Sequence, residues 1–172
     1  NNLIGEPNKG WTYAKFLLGN ERALIAQIAQ STKLVRQIKS VGLDLLTNGN
    51  PLIDERDFRN KLAEIEIELE ALRVTNQRVL FEAKTGTAGN GGAILKSKGT
   101  FISQALSELL LEAAGYYGNP WQMAALDAGS NEPPVGPGFA KNAMPLYCRQ
   151  RANTIEGGTE EIQKNVIANA KS

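Results

Sequence analysis

Residues Ile53–Gly86 read IDERDFRNKLAEIEIELEALRVTNQRVLFEAKTG. Phe58, Leu62, Ile65, Leu69, Leu72, Val79 and Leu80 recur at three- and four-residue spacing, and charged residues fill the positions between them. No proline interrupts the run. Such a stripe predicts a long amphipathic helix, with Asp54 as its N-cap. Upstream, Phe16, Leu17, Ala23, Leu24, Ile28, Leu34, Val35 and Ile38 predict another helix from about Trp11 to about Val41. The turn chemistry of residues 47–51, Thr-Asn-Gly-Asn-Pro, ends it. Downstream, the glycine-rich turn from Gly86 to Gly92 leads into a third helix over Ala93–Ala114, with Ile94, Phe101, Ile102, Ala105, Leu106, Leu109 and Ala113 on its core face. Gly115 stops that helix.

Beyond it, residues 119–140 read as a long irregular loop carrying Pro133, Pro134 and Pro137; loops of that length are usually functional or mobile. A short helix near Lys141–Ala152 follows, then a final one from Thr159. No segment shows convincing strand alternation. The expected fold is therefore all-α: an antiparallel up-down helical bundle of three long helices plus two shorter C-terminal ones. It occupies residues 1–172 as a single helical domain, entered through a loop over residues 1–10.

Composition narrows the chemistry. With 172 residues and 42% apolar content, the chain suits one domain with a sizeable core. A net charge of +1 gives no argument for nucleic acid. No apolar run reaches transmembrane length. Cys148 is the only cysteine, which excludes an internal disulfide and fits a reducing, cytoplasmic setting. Histidine is absent, so His-dependent nucleophile pairs and metal sites are excluded within this chain, and no metal is expected. Chemistry must rest on carboxylates, lysines, hydroxyls, backbone groups or a cofactor.

The stretch Arg151–Ala170, RANTIEGGTEEIQKNVIANA, is the best candidate for such chemistry. Gly157 and Gly158 precede Thr159, then Ile162, Val166, Ile167 and Ala170 recur at helical spacing. Thr159 is the expected N-cap, and Glu160 and Glu161 fall in the first turn, where the helix dipole favours them. The glycines let a partner approach the backbone at a helix start.

This stretch resembles the C-terminal signature of the acyl-CoA dehydrogenases, a family of flavin enzymes, and Gly10–Gln27, GWTYAKFLLGNERALIAQ, is similar to the start of that family's C-terminal helical domain. The resemblance covers essentially all of the chain but only the last part of a full-length member, so the chain reads as a fragment whose N-terminal helical and middle β domains are absent, and which is expected to be inactive alone. It implies an FAD-dependent oxidoreductase of acyl-CoA catabolism, oligomeric, acting on an acyl-CoA substrate and passing electrons to an electron-transfer flavoprotein or a similar acceptor. An alternative is a non-catalytic subunit of a heteromeric assembly.

By pattern alone Glu21 is a solvated helix carboxylate beside Lys15 or Arg22. The resemblance implies more. Many members carry the catalytic base at the position of Gly157; a subgroup carries it in a Glu-Arg pair on the first helix, with a small residue at the terminal position. Glu21 is thus implied as the base, Glu156 as its rival, and Arg22 and Gly157 as substrate-binding. Thr159, Glu161, Gly115 and Arg56 are implied as cofactor-binding, Gly115 toward the FAD of a neighbouring subunit. The linker VGLDLLTNGNPLIDERDF lacks the family's Arg-x-x-Phe-Gly motif, and Arg56 falls where a glutamine is common.

Overall fold

A computed structural model describes residues 2–85 and 89–169, and the side chains of residues 18–25 fall outside that description. The described chain is helical almost throughout: α1 (Gly10–Ile25), α2 (Ile28–Asp44), α3 (Arg56–Thr85), α4 (Gly91–Ala114), α5 (Met123–Leu126), α6 (Ala143–Arg151) and α7 (Glu160–Ala168). The all-α bundle expected from the stripes is the fold observed.

The α3 stripe does what its spacing implies. Phe58, Leu62, Ile65, Leu69 and Leu72 are buried, each by helical spacing on one face. They meet Val35 and Ile38 of α2 and Leu95, Ile102, Leu106, Leu109 and Leu110 of α4 in one core. Burying a Leu, Ile or Phe side chain contributes about 1.5–3 kcal/mol each. The antiparallel pairing of α3 with α4 is marked at the surface by Lys61–Glu112 at 2.7 Å and Lys98–Glu68 at 2.8 Å. Between these pairs runs an open groove of about 590 Å³ lined by Ile65, Ile67, Phe101 and Ala105.

Three expectations need correction. The helix expected over Trp11–Val41 is divided into α1 and α2, because Gln27 adopts the left-handed conformation at φ 50°. Asp54 does not cap α3: it ends a 3-10 turn over Leu52–Asp54, and Glu55 supplies the carbonyl that accepts the Arg59 N–H at 2.9 Å. Nor are all stripe residues core. Phe16, Leu17, Leu80, Phe101 and Ile162 are exposed, Phe101 to 60%, since it faces the α3–α4 groove rather than the interior. Ala23 and Leu24 lie outside the described side chains, Gly86 and Ala170 outside the described residues.

One short strand pair joins α2 to α3. Leu46 pairs with Pro51 and Thr47 with Asn50, across Asn48 (φ 52°) and Gly49 (φ 83°). An Asn-Gly pair with both φ positive is the favoured two-residue hairpin turn.

The α1–α2 junction is fixed by α4. A Cβ on Gly99 would lie 2.6 Å from the Ala26 carbonyl oxygen and 2.8 Å from its Cα. Only glycine at position 99 lets the two backbones approach so closely. Gly99→Ala is expected to destabilise the chain by about 1–3 kcal/mol, as overpacking does. Urea unfolding measures it; unchanged stability contradicts the contact.

Candidate functional site

Gly157 (φ 66°) and Gly158 (φ 96°) turn the chain sharply before α7. A Cβ on Gly158 would meet the Gln163 amide nitrogen, so strain and crowding both require glycine there. Gln163 is buried and its Nε2 donates to the Gly157 carbonyl at 3.1 Å, which locks the turn from inside. Thr159 caps α7 as its sequence position predicts, its hydroxyl accepting the Ile162 N–H at 3.4 Å.

Glu160 and Glu161 occupy the first turn. The Glu161 carboxyl is held below its ordinary 4.5, first by a hydrogen bond from its own backbone N–H, then by the Thr159 hydroxyl, with smaller help from the charges of Lys164 and Lys96. It is solvent-facing. The arrangement is a self-capped helix start whose outer face is open to a polar ligand.

A buried polar network fastens this turn to α4. Asn153 donates through Nδ2 to the Ser103 hydroxyl at 3.2 Å and to Gln150 Oε1, and its carbonyl accepts the Thr100 hydroxyl at 3.4 Å. Gln104 Nε2 donates to the Gln150 carbonyl at 3.0 Å. Sequence reading missed Asn153, Gln150, Thr100 and Ser103. Their signal lay in Lys96, Thr100, Ser103 and Ser107, which repeat at helical spacing along one side of α4.

The remaining candidates divide into two places. Glu21 and Arg22 belong to α1, and their side chains lie outside the description. The backbone just past α1 is informative nonetheless. Ala26 abuts Gly99, and the next α4 residue, Thr100, holds Asn153. The backbone just past α1 and the segment leading into the Gly-Gly-Thr turn therefore reach α4 at the same level. Glu21 lies five residues before Ala26, roughly 7.5 Å along a helix. Glu156 is exposed and paired with Arg149 at 3.0 Å.

Gly115 and Arg56 are elsewhere. Gly115 (φ 54°) closes α4 with open space where a Cβ would stand, and Tyr116 beside it is 93% exposed. Arg56 opens α3 and is exposed. The Lys61–Glu112 pair, which raises the Lys61 ammonium above its ordinary 10.5 chiefly through the Glu112 hydrogen bond, sets both at one end of the bundle. Gly115 is fifteen residues beyond Thr100, roughly 22 Å along α4. One chain thus carries two separate groups of candidates. Among the described residues no group of His, Cys, Asp or Glu is arranged to hold a metal ion, and no helix is long and apolar enough to cross a membrane.

A family model described as the acyl-CoA dehydrogenase C-terminal domain matches residues 8–171. No curated protein matches the chain. Among solved structures, an acyl-CoA dehydrogenase from Geobacillus kaustophilus aligns with a TM-score of 0.74 at 20% identity, over 97% of this chain and 40% of that one. Butyryl-CoA dehydrogenase from Megasphaera elsdenii aligns at 0.71 and 19% identity, over 97% and 40%. The ChsE4–ChsE5 complex from Mycobacterium tuberculosis aligns at 0.72 and 22%, over 96% and 41%. These likenesses show a shared fold. The chain spans about two fifths of the length of the solved chains it resembles.

Two outcomes test the turn. Thr159→Ala is expected to cost about 0.5–2 kcal/mol, with Thr159→Ser near normal, in urea unfolding. Because the Glu161 carboxyl is lowered, its stabilising contribution is complete above the unfolded value near 4.5. It is lost as the pH falls through the folded value. Glu161→Gln is expected to flatten that acid limb; an unchanged limb contradicts the assignment.

Proposed function

The chain belongs to the acyl-CoA dehydrogenase family through this C-terminal domain, and from that premise we propose that the whole protein is an FAD-dependent dehydrogenase of acyl-CoA thioesters. One observation carries the reading: the backbone just past α1, at Ala26, and the segment leading into the Gly-Gly-Thr turn, at Asn153, reach α4 at adjacent residues, Gly99 and Thr100. This convergence supports pairing a carboxylate from α1 with a turn that has no side chain at position 157.

In this proposal Glu21 removes the proton next to the thioester carbonyl as the α,β double bond forms. FAD held by Thr159 and Glu161 would supply the acceptor for the hydride that leaves the neighbouring carbon. Gly157 leaves room for the Glu21 carboxylate to reach the substrate. Arg22 supplies fixed charge and planar donors to the acyl-CoA. Such a base works best when poorly solvated, which raises its pKa toward the working pH. Glu156 is a weaker candidate, being exposed and already paired with Arg149.

Cofactor binding falls to two separate places along α4. Thr159 and Glu161 offer a polar helix start, and the open backbone at Gly115 with Arg56 offers close approach and positive charge. Their separation along α4 means a single flavin does not touch both groups of one copy. We assign Gly115 and Arg56 to the flavin of a neighbouring subunit, so the working protein is an oligomer, homomeric or heteromeric. The exposed Phe101 and Ile67 of the α3–α4 groove supply apolar surface for such contacts. Electrons then pass to an electron-transfer flavoprotein or a similar acceptor.

The second reading, a non-catalytic family member within a heteromeric assembly, is favoured by the linker. Where the family carries Arg-x-x-Phe-Gly, this chain folds a two-residue hairpin turn at Asn48–Gly49.

Glu21→Gln in the whole protein is expected to lower turnover by about 10²–10⁴-fold while flavin absorbance is retained. Glu156→Gln is expected to keep most activity. Near-normal turnover in Glu21→Gln overturns the base assignment, and a purified whole protein without flavin absorbance favours the non-catalytic reading.

A further inference from the structure

Lys96 is 1% exposed in the second turn of the core helix, and its ammonium has no hydrogen-bond partner. A buried cation left alone costs far more than the surrounding packing returns, so its neighbours must answer the charge. Lys96 lies one turn before Thr100 on α4, and Thr100 faces the segment that leads into α7. The α7 side offers the matching groups. Glu160 Oε2 and Gln163 Oε1 are both buried acceptors without a partner.

The register agrees. Asn90 Nδ2 donates to the Val166 carbonyl at 2.7 Å, and Thr100 bonds Asn153, so the segment from Asn153 to Val166, which contains the first turns of α7, runs antiparallel to α4. Six residues on from Asn90 is Lys96; six residues back from Val166 is Glu160. At 1.5 Å per residue both steps cover roughly 9 Å, so the two stand at one level. Lys164 reaches the other Glu160 oxygen only at 3.9 Å and from the solvent side. Lys98, two residues along α4, points away to Glu68 at 2.8 Å.

We propose that Lys96 is a positioning residue whose buried ammonium is the counter-charge for Glu160, holding the first turn of α7, and with it the Gly-Gly-Thr turn, against α4. This rests on geometry within the chain and stands whether or not the flavin reading holds. A cation at a helix N-terminus opposes the helix dipole unless an acid intervenes; solvent-facing Glu161 feels the Lys96 charge weakly, and Glu160, with its buried oxygen, is the acid on the inner side. Gln163, locked to the Gly157 carbonyl through its nitrogen, offers its oxygen to the same ammonium.

The test is a charge-compensation cycle on the full chain, using Lys96→Met, Glu160→Gln and the double variant. The readout is amide hydrogen exchange at Ile162 and Gln163, the first turn of α7. Each single change is expected to speed exchange there by about tenfold or more, because it leaves the other buried charge without its counter-charge. In the Lys96→Met background, adding Glu160→Gln is expected to leave exchange unchanged or slow it. That reversal of sign reports charge, which a purely packing role does not produce. Independent, additive effects overturn the proposal, as do single variants with wild-type exchange. If Lys96→Met does not fold, Glu160→Gln alone decides: wild-type exchange at Ile162 and Gln163 overturns it, and faster exchange rescued by no other change in α7 packing supports it.

Discussion

The close approach of Gly99 to the Ala26 backbone governs the arrangement of the rest. It sets the α1–α2 junction directly against the central helix, and it does so because position 99 has no side chain. Helix α4 is packed by α1, α2, α3, α6 and α7, so whatever fixes a neighbour on α4 fixes it relative to all the others. The apolar face of α4, from Leu95 through Leu110, joins α2 and α3 in the core. The next residue after Gly99 turns a hydroxyl toward Asn153 and so sets the C-terminal turn. Two segments separated by more than a hundred residues in sequence thus converge on one level of a single helix.

A polar stripe inside this helix makes the convergence specific. Thr100, Ser103 and Ser107 are buried; Asn153 of the C-terminal segment answers the first two, and the Arg151 guanidinium donates to the Ser107 hydroxyl at 3.5 Å. Apolar packing alone tolerates sliding of one helix along another; a hydrogen-bonded network in low dielectric does not, because each displaced partner leaves an unpaired buried group. The turn that results is over-determined. Gly157 and Gly158 supply the backbone geometry, Gln163 ties it from within, and Thr159 begins the helix.

Helical character was legible in the sequence wherever one apolar face met one core. Phe58 through Leu72 kept their spacing and are buried. Legibility failed where contacts were tertiary. Nothing local in Ala26–Gln27–Ile28 announces a left-handed residue, since the break is stabilised by a backbone contact seventy residues away in α4. Phe101 matched the stripe of α4 yet lies in an outer groove, because α4 carries apolar residues around more of its circumference than the core covers. In α7 the expected order is inverted: Ile162 is exposed while Gln163 is buried, its amide held by the Gly157 carbonyl. The Gly-Gly-Thr turn was readable because positive φ and N-capping leave local signatures. That Gly115 and Arg56 fall at the same end of the bundle was not, because it depends on the register of α3 against α4.

The central claim is that α1 brings Glu21 to the level of the Gly-Gly-Thr turn. Spin labels at Glu21→Cys and Glu156→Cys, with the exposed Cys148 changed to Ser, measure it directly by dipolar spectroscopy. With helix axes about 8–10 Å apart and Glu21 roughly 7.5 Å from the junction, the account predicts a single distance below about 20 Å. A distribution centred beyond about 30 Å, the length of a twenty-residue helix, contradicts it.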